Sequence, residues 1–250
     1  MLRKEKDGAV LRLTLDRPEV RNAIDDALIA ELHQAFSELD PSVRVVVLAG
    51  EGKAFCAGGD LEWMRRAANY SREENIRDAL KLADLFDAIV RCPAVTVASV
   101  HGAAFGGGAG LVAAVDVAIA EEGTKFAFSE VRLGLIPATI SPFVVAKIGK
   151  GHARALFATG EAFEADRALR IGLIHEKTTT EGRSEAVAKV IRQVLTCGPH
   201  AIREAKRLVL ESPVPHEVSA ERLAAMRASE EGREGVAAFL EKRKAAYVVE

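Results

Sequence analysis

The segment Val100–Ser129, VHGAAFGGGAGLVAAVDVAIAEEGTKFAFS, limits the folds open to this chain more than any other. Val95, Val97 and Val100 read as a buried strand ending at Gly102. Gly106, Gly107 and Gly108 then open an Ala/Leu/Val-rich stretch with helical character. A strand that feeds a glycine turn into a helix presents unpaired N–H groups to negative charge at the helix start. Glycine also lets the backbone come close to a ligand. This helix is apolar on every side and is expected to be buried. Its donors would then work in low dielectric, where fixed dipoles count most.

A second junction of the same kind lies upstream. Val43–Ala49, VRVVVLA, is a β-branched run of the type buried in parallel sheets. It leads into Gly50–Asp60, GEGKAFCAGGD, and a helical pattern starts at Leu61. Two such junctions can each aim one N–H at one oxygen, which is how an oxyanion hole is built. For either alone, a tight turn is the plainer explanation. Together, and followed by the carboxylate of Glu130, they argue for a site.

GKAFCAGGDL, HGAAFGGGAGL and FSEVRLGLIP resemble, in this order, three signature segments of the crotonase (enoyl-CoA hydratase/isomerase) superfamily. The resemblance continues through GEAFEADRALRIGLIHE (Gly160–Glu176) to AAFLEKRKA (Ala237–Ala245), and so covers essentially the whole chain. It implies an α/β architecture of the ClpP/crotonase-like type, with repeated ββα units forming stacked sheets. The core would occupy residues 1–195, and a C-terminal helical region, 196–250, would mediate trimer contacts and complete the active site. A homotrimer or a homohexamer built as a dimer of trimers follows from the same resemblance.

Composition agrees and narrows the classes. A chain of 250 residues buries roughly three-quarters of its unfolded surface. A net charge of −2 and the lack of an aromatic–basic stripe argue against nucleic acid and anionic membranes as partners. Cys56, Cys92 and Cys197 have no disulfide or metal spacing, and the six histidines form no ligand pair. That pattern fits a reduced, cytoplasmic protein without a metal. The start, MLRKEKDG, lacks the apolar region of a signal peptide. Cys92–Val115 is uncharged and long enough to cross a bilayer. Pro93, the valine run, His101 and the glycine cluster nevertheless describe strand, turn and helix.

Along the chain, Val10–Leu15 alternates as a strand, and Asp25–Asp40 places Leu28, Leu32, Phe36 and Leu39 on one helical face. Helices are expected over Leu61–Ala68 and Ser71–Val90, the second stopped by Pro93. Strands are expected at Val95–Val100, Val117–Ala120 and Lys125–Phe128, and a short one at Leu173–His175. Pro199, Pro213 and Pro215 punctuate three C-terminal helices. Their apolar stripes (Ile202, Ala205, Leu208, Val209; Val236, Phe239, Leu240) read as core of the same chain.

The resemblance also carries a chemistry. The family forms an enolate of an acyl-CoA thioester and holds it with two backbone N–H groups, which fall here at Gly59 and Gly107. Glu130 falls at the catalytic carboxylate position. Its setting between Phe126, Phe128 and Leu133–Ile136 would desolvate it and raise its pKa, as suits a general acid/base. The backbone of Lys53, Ala54, Phe55 and Ala57 resembles the segment that cradles the adenine end of coenzyme A. Phe239 and Lys242 match further coenzyme A contacts, although Lys242 reads equally well as a solvated charge. Coenzyme A enters with the substrate, and no separate cofactor is implied.

One position departs from the family pattern. Two-carboxylate hydratases carry a second Glu twenty residues before the first, and here that residue is Gly110. DLEWMRRAANYS and SEVRLGLIPATISP nevertheless look like bacterial hydratases of branched, carboxylated enoyl-CoAs, such as 3-methylglutaconyl-CoA in leucine catabolism. In that reading the substrate's own distal carboxylate, or a hydroxyl such as Ser141, orders the water. Arg65, Arg66, Arg132 and Lys147 all lie near the motifs, but most read as ordinary surface charges and none is assigned to such a carboxylate. Ser141 also reads as a helix N-cap ahead of Pro142. Two alternatives stay open: a Δ3-Δ2-enoyl-CoA isomerase, which needs only one carboxylate, and an acyl-CoA-binding or assembly protein without turnover.

Overall fold

The valine runs become the middle of a six-stranded sheet, where their side chains are shielded on both faces. The computed structural model describes residues 1–249. Its strands are β1 (Leu2–Asp7), β2 (Val10–Leu15), β3 (Val45–Gly50), β4 (Val95–Val100), β5 (Ala103–Phe105), β6 (Val117–Glu121), β7 (Lys125–Ala127), β8 (Ala162–Glu164) and β9 (Glu176–Thr178). The large sheet runs β1-β2-β3-β4-β6-β9, parallel except for the β1–β2 hairpin. A second sheet runs β5-β7-β8, and a bridge between Cys56 and Ala104 extends it by one more segment.

The helices are α1 (Asp26–Ser37), α2 (Leu61–Ala67), α3 (Arg72–Val90), α4 (Gly107–Ala114), α5 (Ser141–Thr159), α6 (Ala165–Arg170), α7 (Arg183–Leu195), α8 (Pro199–Leu210), α9 (His216–Ala228) and α10 (Glu230–Leu240). β4 and β5 place one strand in each sheet before α4 follows, and β6 and β7 repeat the pattern before the turn at Glu130. These are the expected ββα units. Helix α4 has no polar face because it has no wet face: every residue from Gly108 to Ala114 is buried. Cys92–Val115 thus becomes β4, β5 and α4, and among the described residues no helix is long and apolar enough to cross a membrane.

Several expectations need correction. β1 was not foreseen, because LRKEKD shows no apolar alternation; it is an exposed edge strand, where charge discourages pairing with other chains. The strand expected at Leu173–His175 lies instead at Glu176–Thr178. Leu173 and Ile174 are fully buried in the turn before it, so their hydrophobicity signals burial rather than a strand. Ser141 does not cap α5. It is the first residue of that helix, and its hydroxyl donates to the Ala138 carbonyl (3.0 Å).

The C-terminal stripes are not core of this chain either. Val209, Val236, Phe239 and Leu240 are all exposed, Phe239 by 82%. Helix α8 is held by a polar anchor instead: Lys206 Nζ donates to the carbonyls of Cys92 (2.8 Å) and Ala94 (2.7 Å) and pairs with Asp116 (2.6 Å).

Candidate active site

The first glycine junction is fixed from beneath by the segment DRPEVRNAID. Arg17 pairs with Asp25 (2.9 Å) and Asp60 (3.0 Å), and all three side chains are largely buried. Asn22 is fully buried with a positive φ of 57°, a conformation that asparagine tolerates better than most residues. Its amide donates to the carbonyls of Glu51 and Ala54 (2.8 Å each), tying down both ends of the loop. Asp60 caps α2 by accepting from the N–H groups of Glu62 and Trp63. Burial alone would raise the Asp60 pKa, but these donors and Arg17 outweigh it and hold it below the usual range.

This framework decides where the Gly59 N–H points. Ile24 N–H donates to Gly58 O (2.7 Å), and Asp60 N–H donates to Ile24 O (2.8 Å). In such a parallel bridge the residue between, Gly59, turns its own N–H to the opposite side, toward the cavity. The second donor comes from the start of α4. Its first intrahelical bond runs from Gly110 N to Gly106 O (3.0 Å), so the Gly107 N–H is one of the helix's unpaired donors. Gly106 has φ 49° and ψ −118°, a region essentially closed to other residues. A Cβ at Gly106 would lie 3.2 Å from Glu130 Oε1 and 4.0 Å from the Gly58 Cα. The two glycine junctions and the carboxylate are therefore in contact distance of one another.

Glu130 opens a single 3-10 turn, Glu130–Leu133, closed by Gly134 at φ 71°. The turn is anchored through Phe126 and Phe128, both fully buried, with Phe126 stacked on Phe163 and Phe128 edge-on to Phe157. The Glu130 Oε2 atom is buried and takes no hydrogen bond. Burial raises the Glu130 pKa, and its own backbone N–H partly offsets the rise. A desolvated carboxyl group with one oxygen left without a partner is costly to the fold, and it is what a proton-transfer residue requires.

Gly59, Gly106, Gly107 and Glu130 line one cavity of about 470 Å³, within the size range of small-ligand sites. A larger hollow of about 680 Å³ lies between α8, α9 and α10 but contains none of these groups. The active cavity is otherwise mostly apolar, with Leu61, Met64, Leu82, Leu133 and Ile136 among its walls.

The sequence-based assignments separate here. Gly59, Gly107, Glu130 and Ala57 come together at the cavity. Phe55 does not face it, because its side chain is fully buried in the core and its N–H is bound to His101 O (3.0 Å). Ala54 is buried and Lys53 is exposed, and neither lines the cavity. Phe239 and Lys242 are exposed and lie off the cavity of their own chain. Ser141 is also absent from its wall, so its hydroxyl is no candidate for holding water there.

The four cations considered for a distal carboxylate are engaged elsewhere. Arg65 pairs with Glu62 and Arg66 with Asp26, Arg132 donates to Gly160 O, and Lys147 donates to Val115 O. Sequence reasoning passed over Asn75 and Asp78 of α3, both of which line the cavity. The signal for the α3 pair is the spacing Asn75, Asp78, Ala79, Leu82, one face of a helix. Cys56, beside the loop, is inert packing: burial pushes its thiol up to about 12.

Comparison with known proteins shows the family. The model of the enoyl-CoA hydratase/isomerase family matches residues 5–249. The chain is 30% identical to the crotonyl-CoA hydratase of Syntrophomonas wolfei, over 98% of this chain and 96% of that one. Among solved structures, an enoyl-CoA hydratase from Shewanella pealeana superposes with a TM-score of 0.94 at 38% identity, covering 98% of this chain and 95% of the other. Pseudomonas aeruginosa AtuE superposes with a TM-score of 0.96 at 36% identity, covering 99% of each. Two glycine-borne N–H donors and a desolvated glutamate at one cavity, in a chain matched nearly end to end, make this protein a member of the enoyl-CoA hydratase/isomerase family.

Proposed function

We propose that the protein is a hydro-lyase that adds water across the α,β double bond of an acyl-CoA thioester. The observation that carries this reading is the buried, unpartnered Glu130 Oε2 at the cavity it shares with Gly59 and Gly107. The thioester oxygen accepts from the two glycine N–H groups, each worth roughly 2.7–4 kcal/mol as charge develops there. Water adds at Cβ, the electron pair moves toward the thioester, and Glu130 delivers a proton to Cα. The hydratase names carried by relatives support this direction of chemistry.

The finer reading, a branched and carboxylated acyl group of the 3-methylglutaconyl type, rests on the sequence resemblance. Among the described residues no Lys, Arg or His lines the cavity. A carboxylated chain would therefore take its counter-charge from a neighbouring subunit. The same assembly gives Phe239 and Lys242 a role, as coenzyme A contacts of a neighbouring site, beside the Lys53–Ala57 backbone of the site's own chain. The exposed apolar face Val236, Phe239, Leu240 supports a trimer or hexamer, since such patches mark contact surfaces. Light scattering should then give a mass of three or six chains, and a monomer would remove this role for Phe239 and Lys242. The three unpaired cysteines fit a reducing, cytoplasmic setting.

The deciding experiment follows water addition to crotonyl-CoA and 3-methylglutaconyl-CoA side by side, with a 3-enoyl-CoA as control. Hydration is expected, and preference for the carboxylated thioester would support the finer reading. Turnover of the 3-enoyl-CoA alone would replace the hydratase by an isomerase.

A further inference from the structure

The position of the missing glutamate is occupied. A Cβ at Gly110 would lie 2.5 Å from Ile140 Cγ2 and 3.0 Å from Phe86 Cζ. A hydratase with one carboxylate still has to take a proton from water at the same time as it gives one to Cα. The cavity wall answers this need from a different element. Asn75, Asp78, Ala79 and Leu82 of α3 all line it, and Phe86, one more turn along the same face, closes the space beside Gly110.

Asp78 is the one carboxylate besides Glu130 among the described residues that line the cavity. It is held in place. The indole N–H of Trp63 donates to Asp78 Oδ1 (3.3 Å), and Trp63 itself packs beside the donor glycine, 3.7 Å from a Cβ built at Gly59. One turn earlier, the Asn75 amide is fixed by donating to Tyr70 O (3.1 Å) and Ser71 O (3.2 Å). Other polar groups in the wall, such as the hydroxyls of Ser129 and Thr139, can orient water but are poor proton acceptors.

We infer that Asp78 is the second catalytic carboxylate, supplied by α3 in place of the α4 glutamate of two-carboxylate hydratases. The inference rests on the hydratase reading. The water oxygen bonds to Cβ while one of its protons passes to Asp78. The π pair shifts to Cα and the thioester oxygen, and Glu130 protonates Cα. Transfer of the proton from Asp78 back to Glu130 through solvent restores both groups, so the net change is one water added.

The test compares Asp78→Asn, Trp63→Phe and Glu130→Gln in two assays: hydration of crotonyl-CoA, and exchange of the Cα protons of butyryl-CoA with deuterated water. Exchange needs Glu130 and the glycine donors but no water addition. Asp78→Asn is expected to lower the hydration kcat by about 100-fold. Its KM and exchange rate should stay within about threefold of wild type. Trp63→Phe should lower hydration by a smaller factor, again sparing exchange, and Glu130→Gln should lose both reactions. Hydration retained in Asp78→Asn would overturn the assignment. So would loss of exchange along with hydration, because Asp78 would then be supporting the fold. A wild-type protein that exchanges Cα protons but hydrates neither enoyl-CoA would remove the hydratase reading itself, and this shows before any variant is made.

Discussion

Glu130→Gln is expected to lower turnover by roughly 10²–10⁴-fold, the range for loss of a positioned general acid/base, while acyl-CoA affinity stays near wild type. The amide keeps the shape of the side chain and the glycine donors remain, so binding persists without proton transfer. The same variant should be more stable than wild type, and increasingly so as the pH rises. In the folded protein burial raises the Glu130 pKa above its unfolded value. The fold therefore carries no penalty from Glu130 below the ordinary glutamate range, about 4.3. It loses stability as pH climbs through the raised value and the buried group must ionise. Glutamine has no such step. Thermal unfolding of both proteins across this range, beside hydration rates, checks the two claims together. Turnover surviving in Glu130→Gln would remove Glu130 from the chemistry, and a stability gap independent of pH would show that its carboxyl is not desolvated.

The second large effect is structural. Restoring the family's glutamate by Gly110→Glu is expected to destabilise the protein rather than create a two-carboxylate hydratase. Its Cβ would meet Ile140 Cγ2 at 2.5 Å and Ile140 Cβ at 3.1 Å, on a helix buried from Gly108 to Ala114. Overpacking of this kind costs about 1–3 kcal/mol, and burying a lone carboxylate adds several more. The helix propensity gained on replacing glycine, at most about 1 kcal/mol, does not offset this. Gly110→Ala should show the steric part alone, and pairing either change with Ile140→Ala should recover part of the loss. Urea unfolding midpoints measure all of these. A Gly110→Glu protein as stable as wild type and faster in hydration would mean that Ile140 yields its place readily, and the case for Asp78 would weaken with it.

How much of this was legible in advance differs from element to element. The buried strands β2, β3 and β4, the capped helix α3 and the glycine-headed α4 could be read from periodicity and glycine placement, because each signal is local. β1 could not, since an edge strand needs no hydrophobic pattern. The C-terminal stripes looked like core, and yet Phe239 and Leu240 stand exposed. Periodicity shows that a helix has an apolar face but not what covers it. Ser141 illustrates the same limit on a smaller scale. A serine before a proline satisfies a capping pattern, and only the backbone path of residues 138–141 showed its hydroxyl turned back on Ala138.

At the site, Gly59, Gly107 and Glu130 were named from their resemblance to the family's motifs, each short enough to be recognised in linear order, and the fold brings all three to one cavity. The fold alone revealed that Ile140, thirty residues away along the chain, fills the space beside Gly110. It also brought Asp78 of α3, hydrogen-bonded by Trp63 of α2, to the same cavity as Glu130. The sequence determines which side chains are available and which local turns they make. Which of them share a cavity depends on how α2, α3, α4 and the 139–141 loop pack, and that contact exists only once the chain is closed on itself.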